Sequence, residues 1–271
     1  MIRKIAIVAL GLLASVSASA DWALNMPKGV TELSAQTYNL HMMVFWVCVA
    51  IGALVFGVMI VSLVKHRKSA GAVPAKFSHS TMAEVIWTAL PVVILLVMAI
   101  PAAETMVRLE DARKADMTIV ATGYQWKWHY RYQNEDVDFY SSLARPSLEA
   151  RPRNAGIDPF SVDNYLLDVD RPLVVPVGAK VRLLTTSNDV LHAWWVPELA
   201  IKKDAIPGIV NESWFQATET GTYRGQCAEL CGKDHGYMPI VVEVVEADAF
   251  VAWVEANDGS ADRFVSNEIT E

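Results

Sequence analysis

Cysteine is scarce in this 271-residue sequence. Cys48, Cys227 and Cys231 are too few for a disulfide-stapled scaffold, and any pairing among them leaves one thiol over. Charge is limited too: 20% of residues are charged against 53% hydrophobic, which excludes a disordered regulator. That much charge in so short a chain equally excludes a multi-span transporter. No C-x-x-C-H haem-attachment site is present, and no internal repeat. What remains is part membrane protein and part soluble protein.

The net charge of −7 is divided unevenly. Residues 1–106 hold seven Lys/Arg against four Asp/Glu, a balance of +3, so the remainder holds 16 against 26, a balance of −10. An acidic soluble half argues against nucleic acid as a partner and for a cationic one. Residues 1–20 have two early cations, Arg3 and Lys4, an apolar run from Ile5 to Leu13 and the small residues Ala18-Ser19-Ala20. This is the layout of a secretory signal cleaved after Ala20. Two longer apolar runs follow within residues 21–106, Met42 to Val64 and from Val85 through Ala103 to about residue 106. Each approaches the ~20 residues needed to span a bilayer as a helix. The loop between them carries Lys65, Arg67, Lys68 and Lys76, which places it on the cytoplasmic side and the C-terminal half in the periplasm of a bacterial inner membrane. Glu84, in MAEVIWTALP, fits a carboxylate favoured at a helix N-terminus, and Cys48 reads as a small packing residue.

From residue 107 to about 250 the pattern changes. Short runs rich in valine, isoleucine and aromatics predict strands over 118–120, 125–132, 173–175, 180–186, 193–196, 212–216, 221–225 and 240–245. Helix-length amphipathic windows are missing there, so the expected fold is an all-β antiparallel sandwich or barrel. Residues 141–163, with three prolines, read as a surface excursion. Residues 247–255 place Phe250, Val251 and Val254 at helical spacing, so that residues 251–271 close the chain as a short helix and polar tail.

The chemistry is concentrated in GQCAELCGKDHGYMP, residues 225–239. Cys227, Cys231, His235 and Met238 offer two thiolates, an imidazole and a thioether, and His192 in SNDVLHAWWVP offers a second imidazole. Soft sulfur with imidazole selects copper, and a weak axial methionine marks copper electron-transfer sites. A mononuclear site of that kind needs one cysteine. The second thiol could form a disulfide in an oxidising compartment or bridge two metal ions. Cysteine usage alone favours the disulfide; His235 and Met238 favour the metal, because a disulfide does not need them. His66, His79 and His129 read as ordinary core or surface histidines.

The hairpin, the EVIWTALP run, GYQWKWHY, DVLHAWWVP, DAIPG and GQCAELCGKDHGYMP together resemble subunit II of bacterial heme-copper cytochrome c oxidases. The resemblance covers nearly the whole chain after the signal. It implies a two-helix transmembrane hairpin followed by an all-β cupredoxin-like domain holding the binuclear copper centre CuA. Cys227 and Cys231 would bridge the coppers, His192 and His235 would each ligate one, and Met238 and the backbone carbonyl of Glu229 would be weak ligands. The Glu229 side chain would help bind magnesium or manganese shared with subunit I. Trp126 would receive electrons from cytochrome c, and Glu84 would lie at the mouth of a proton channel. Subunits I and III would be partners, with heme only in the partner subunit. Two positions depart from the family: Lys127 stands where an aromatic residue is frequent, and Ile209 where arginine is common.

Three other readings compete, the blandest being a purely structural β-domain that takes up no metal. A quinol oxidase subunit II shares the hairpin and barrel but lacks the copper ligands found here. A membrane-tethered copper chaperone or thiol oxidoreductase also uses C-x-x-x-C with a distant histidine, but typically with one anchor and an early cysteine pair. The lack of a haem-attachment site means that the electron donor is a separate protein.

Overall fold

A computed structural model describes residues 25–73, 76 and 78–257. The expected signal at 1–20 and the tail beyond 257 lie outside the described residues.

Two long helices lead, α1 (Glu32–Lys65) and α2 (Thr81–Leu109). The start of α1 is fixed by a reciprocal cap: Ser34 N donates to Thr31 Oγ1 and Thr31 N donates to Ser34 Oγ, both at 2.9 Å. Ser80 caps α2, and Pro91 and Pro101 lie inside it. At 1.5 Å per residue the helices measure about 50 and 44 Å, more than the ~30 Å of a bilayer core. Large apolar side chains are exposed along both, among them Leu54, Phe56 and Leu63 on α1 and Trp87, Leu95 and Leu96 on α2. A helix pair apolar on its outside belongs in lipid or against other membrane helices. Cys48 lies on that exposed surface rather than in a packed interior.

Both helices begin before their apolar runs. The two residues that lead into α1 dock on the soluble half, where Val30 N donates to Glu198 O, Thr218 N donates to Val30 O, and Thr31 bridges Ala217. Arg108 near the end of α2 pairs with Glu32, and Trp214 Nε1 donates to Arg108 O at 2.9 Å. The hairpin is thereby tied to the domain at its outer end.

The soluble half is two facing five-stranded sheets. One has the order β3 (Asp138–Ser141), β2 (Lys127–Tyr132), β1 (Met117–Tyr124), β5 (Val181–Ser187), β8 (Asn211–Phe215). The other has the order β4 (Leu173–Pro176), β10 (Pro239–Val245), β9 (Gly221–Cys227), β6 (His192–Val196), β7 (Ile201–Ala205). Alternate residues point inward, as the period of two requires. Val181, Leu183, Thr185 and Ser187 of β5 are buried while their neighbours are half-exposed, and Trp128, Tyr130, Trp194, Phe139 and Phe215 fill the space between the sheets. The Tyr132 hydroxyl bonds both backbone groups of Val174 in the opposite sheet, donating to O at 2.6 Å and accepting from N at 3.1 Å. This is the all-β, cupredoxin-like domain that the resemblance implied.

The sheets are mixed rather than antiparallel. β1 runs parallel to β5 and β4 parallel to β10. Alternating burial looks the same in either direction, so the sequence pattern carried no information about strand sense. Two strands, β3 and β7, were not anticipated. The excursion after β3 is more ordered than expected: α3 (Arg145–Ala150) buries Ser147 and Ala150. The closing helix α4 (Ala247–Asn257) turns Phe250, Trp253 and Val254 toward the core, with Val251 facing out. Trp253 takes the inward place because positions i, i+3 and i+4 share a helix face.

Candidate metal centre

Neighbouring strands of one sheet deliver the two halves of the cluster. His192 opens β6 and Cys227 ends β9, and these strands pair with Trp194 opposite Cys227. The chain then turns through Cys231, makes one turn of 3-10 helix at His235–Tyr237, and brings Met238 to the start of β10. Cys227, Cys231, Met238 and His192 are all buried, and His235 is half-buried.

The sulfurs of Cys227 and Cys231 lie 3.9 Å apart, nearly twice the ~2.04 Å of a disulfide, and both thiols are free. His192 Nδ1 lies 3.8 Å from Cys227 Sγ and His235 Nδ1 3.4 Å from Cys231 Sγ. Met238 Sδ is 3.6 Å from Cys231 Sγ, and the Glu229 carbonyl is 3.3 Å from Cys227 Sγ. The ligating atoms of His192, Cys227 and Cys231 fall within 4.8 Å of one another. Two thiols side by side, each with an imidazole and one further weak donor, form a soft donor set suited to copper. All six donors named from the sequence therefore meet in one place.

Electrostatics separates the two thiols. Burial is the largest influence on the Cys227 thiol and pushes it up, but the His192 ring together with the backbone contacts of Ala193 and Glu229 leaves it below its ordinary value. Burial and the neighbouring Cys227 push the Cys231 thiol up to about 12. A bound metal must therefore displace the Cys231 proton.

Residues that the sequence reading passed over hold the donors in place. The ring nitrogen of His192 that faces away from sulfur, Nε2, lies 2.9 Å from Asp189 Oδ1. A carboxylate on that nitrogen fixes the tautomer that leaves Nδ1 available to a metal. Asp189 Oδ2 also accepts from Gln125 N at 2.7 Å, and Gln125 Nε2 donates to Cys231 O at 2.8 Å. Gly123 lets the His192 ring lie against its backbone, because a Cβ there would be 2.7 Å from ring carbon Cδ2. Asp189 had a readable signal, standing three residues before a candidate ligand histidine; Gly123 and Gln125 lie in the GYQWKWHY run, where only Trp126 was given a role.

Trp126 sits in the β1–β2 turn, half-buried, and its Nε1 donates to Cys231 O at 3.2 Å. Lys127 turns its ammonium onto the Tyr140 ring, 4.0 Å from the centroid, while Lys233 lies 5.6 Å over the Trp126 ring. Ile209 is exposed, and so is Glu229 apart from its carbonyl's approach to the cluster. Glu84 is in the first turn of α2, away from the cluster at the far end of the hairpin. Among the other histidines, His129 pairs with Asp138 and His66 Nδ1 lies 3.3 Å from Ser62 Oγ.

Comparison with known proteins agrees with this division of the chain. Residues 19–104 match the family model of the cytochrome c oxidase subunit II transmembrane domain, and residues 117–245 match that of the periplasmic domain. The protein named "Probable cytochrome c oxidase subunit 2" from Rickettsia bellii is 36% identical over 237 residues, 88% of this chain and 85% of its own length. Cytochrome c oxidase subunit 2 of Cereibacter sphaeroides is 34% identical over 240 residues, 84% of this chain and 78% of that one. Among solved structures, the periplasmic domain of subunit II of cytochrome oxidase from Bradyrhizobium japonicum is 45% identical, covering 54% of this chain and 96% of that one with a TM-score of 0.46. Hairpin and sandwich are each matched in turn, and relatives align across both: the chain belongs to the cytochrome c oxidase subunit II family.

Proposed function

We propose that the soluble half accepts single electrons from cytochrome c at a binuclear copper centre, CuA, and passes them to subunit I for oxygen reduction coupled to proton translocation. Membership of the family makes the chain a membrane-anchored component of the heme-copper oxidase complex, with subunit I as a partner and a copper centre of its own. The observation that carries the finer reading is the pair of free buried sulfurs 3.9 Å apart, each beside an imidazole. When bound there, the copper pair supplies a one-electron couple whose charge is spread over two ions.

The protein's part is to hold the donors still and dry. Cys227, Cys231, His192 and His235 would hold the copper pair, with Met238 and the Glu229 carbonyl as weaker donors. Asp189 and Gln125 keep His192 and the Cys231 backbone in place. Trp126 receives the electron, and its hydrogen bond to Cys231 O joins the outer ring directly to a ligand residue. The acidic balance of residues 107–271 favours a basic cytochrome, although Lys233 sets a cation directly over the receiving ring. The exposed Glu229 side chain contributes to a magnesium or manganese site shared with subunit I. Subunit III is a further partner, the hemes belong to the partner subunit, and the domain lies on the periplasmic side of a bacterial inner membrane.

Copper loading of the full chain in detergent tests this reading. It predicts two coppers per chain, a purple absorption and an electron-resonance signal shared by both ions; a single copper with a reducible disulfide would instead indicate a thiol oxidoreductase. Glu84 is tested separately. In the assembled oxidase, Glu84→Ala should slow turnover several-fold, as loss of one proton-collecting carboxylate at a channel mouth would, while leaving the copper spectrum unchanged. Normal turnover in that variant removes Glu84 from the proton path.

A further inference from the structure

The segment between β3 and β4 forms a loop closed at its base. Ala144 N donates to Asp168 O and Asp170 N to Ser142 O, both at 3.0 Å, and Leu143 pairs with Val169. Within it, Leu166 N donates to the buried Ser147 Oγ at 3.1 Å, which ties α3 to the returning strand of the loop. From this strap two charged side chains reach the segment that carries most of the cluster. Arg151 pairs with Asp234 and lays its guanidinium over the Tyr237 ring, 4.1 Å from the centroid. Asp168 faces Arg224 at 3.7 Å, three residues before Cys227.

Asp234 and Tyr237 flank His235 on either side. The turn that carries His235 is short and has glycine before and within it: Gly232 has φ +117°, and Gly236 has open space around it. Its own backbone bonds are His235 N to Gly232 O at 3.2 Å and Tyr237 N to Asp234 O at 2.9 Å. Two hydrogen bonds in a glycine-containing turn leave it free to shift, whereas a planar guanidinium held by a carboxylate on one side and an aromatic face on the other fixes both position and tilt. We propose that Arg151 is a positioning residue for the metal centre: anchored in the strap, it clamps the Asp234–Tyr237 turn and so sets the placement of His235 and Met238. This inference rests on the reading of those two residues as ligands.

The pair is largely buried, with Arg151 35% and Asp234 15% exposed, so breaking it also costs folding stability, and the clamp is read at the metal rather than in the fold. The test uses the copper-loaded full chain with Arg151→Ala, Arg151→Lys and Asp234→Asn. Arg145→Ala, which breaks an exposed pair with Glu149 on the same strap, is the control. Arg151→Ala should release copper to a chelator about tenfold faster and change the copper hyperfine pattern, in keeping with the cost of removing partners that orient a ligand. Asp234→Asn should do the same, and adding Arg151→Ala to it should cause little further change. Arg151→Lys, which keeps charge but cannot stack as a plane, should fall between. Thermal midpoints of the metal-free proteins are recorded alongside, and the metal readouts are taken well below the lowest of them so that every variant is folded when compared. Release rates and hyperfine patterns equal to wild type in Arg151→Ala and Asp234→Asn would overturn the clamp while leaving the copper reading intact; a wild-type chain that takes up no copper would overturn both.

Discussion

Replacing Cys227 with serine should give a folded, membrane-inserted chain that no longer holds copper as a pair and no longer passes electrons to subunit I. Cys227 is 5% exposed, and its sulfur touches His192 Nδ1, Cys231 Sγ and the Glu229 carbonyl, so it sits between three other donors. Serine is close in shape, and its hydroxyl can donate to the Glu229 carbonyl. Leaving a buried hydroxyl unpaired would cost about 1–3 kcal/mol, and that acceptor removes most of the penalty. The chemistry fares differently. A serine oxygen is hard and stays protonated near neutral pH, so the site loses one of its two soft anionic sulfur donors, which on the proposed reading would be shared by the copper pair. Partners that merely orient ligands cost 10–100-fold when removed, so loss of a proposed ligand itself should cut the rate of cytochrome c oxidation by at least about a hundredfold. Copper analysis and stopped-flow oxidation of the donor check this together. A Cys227→Ser protein that keeps two coppers and a shared signal would show that the sulfurs do not bridge.

That result would bear on a feature unusually open to reading from sequence. The cluster is legible because four donors fall within twelve residues of one another and their identities, two sulfurs, an imidazole and a thioether, point to one class of metal. His192 was the distant member, and its strand lies next to the strand of Cys227 in the same sheet. The hairpin was legible as well, because long apolar runs have few other uses. Where each helix begins was not, since capping and docking on the soluble half, rather than hydrophobicity, extend α1 back to Glu32.

Strands were legible where both faces of the pattern were clear and lost where they were not. β7 reads Ile-Lys-Lys-Asp-Ala, and only its end residues are buried, so three central charged residues mask it. β3 is four residues long at a sheet edge, directly after an acidic run. The strap escaped notice because its order comes from contacts distant in sequence: Arg151 meets Asp234 and Asp168 meets Arg224. Local patterns cannot announce such partners.

Gly225→Ala should have the largest effect on folding of any single methyl added to the sandwich, and should remove the metal centre with it. Gly225 is buried in β9 between two strands, paired with Ile240 of β10 on one side and next to the Gln226–Trp195 pair with β6 on the other. A Cβ at this position would lie 1.9 Å from the carbonyl oxygen of Trp195 and 2.9 Å from Cα of Val196. Those are backbone atoms, so no rotamer change relieves the clash; β9 must move away from β6 or rotate within the ladder. Overpacking a well-filled interior typically costs 1–3 kcal/mol, and a backbone clash on a central strand belongs at the top of that range, about 3 kcal/mol or more. For a domain of this size that lowers the thermal midpoint by about 10 °C. Gly236→Ala is the matched control. It stands beside His235 with nothing within 4 Å of its Cβ position, and its midpoint should stay within a degree or two of wild type. Because β6 begins at His192 and β9 ends at Cys227, any separation of the two strands moves an imidazole away from a thiol now 3.8 Å from it. Copper uptake by Gly225→Ala should therefore fail even at temperatures where most of the domain remains folded, as followed by tryptophan fluorescence and copper absorption on one sample. Equal midpoints and equal copper content in the two alanine variants would mean that β9 does not run against β6 at the spacing described here.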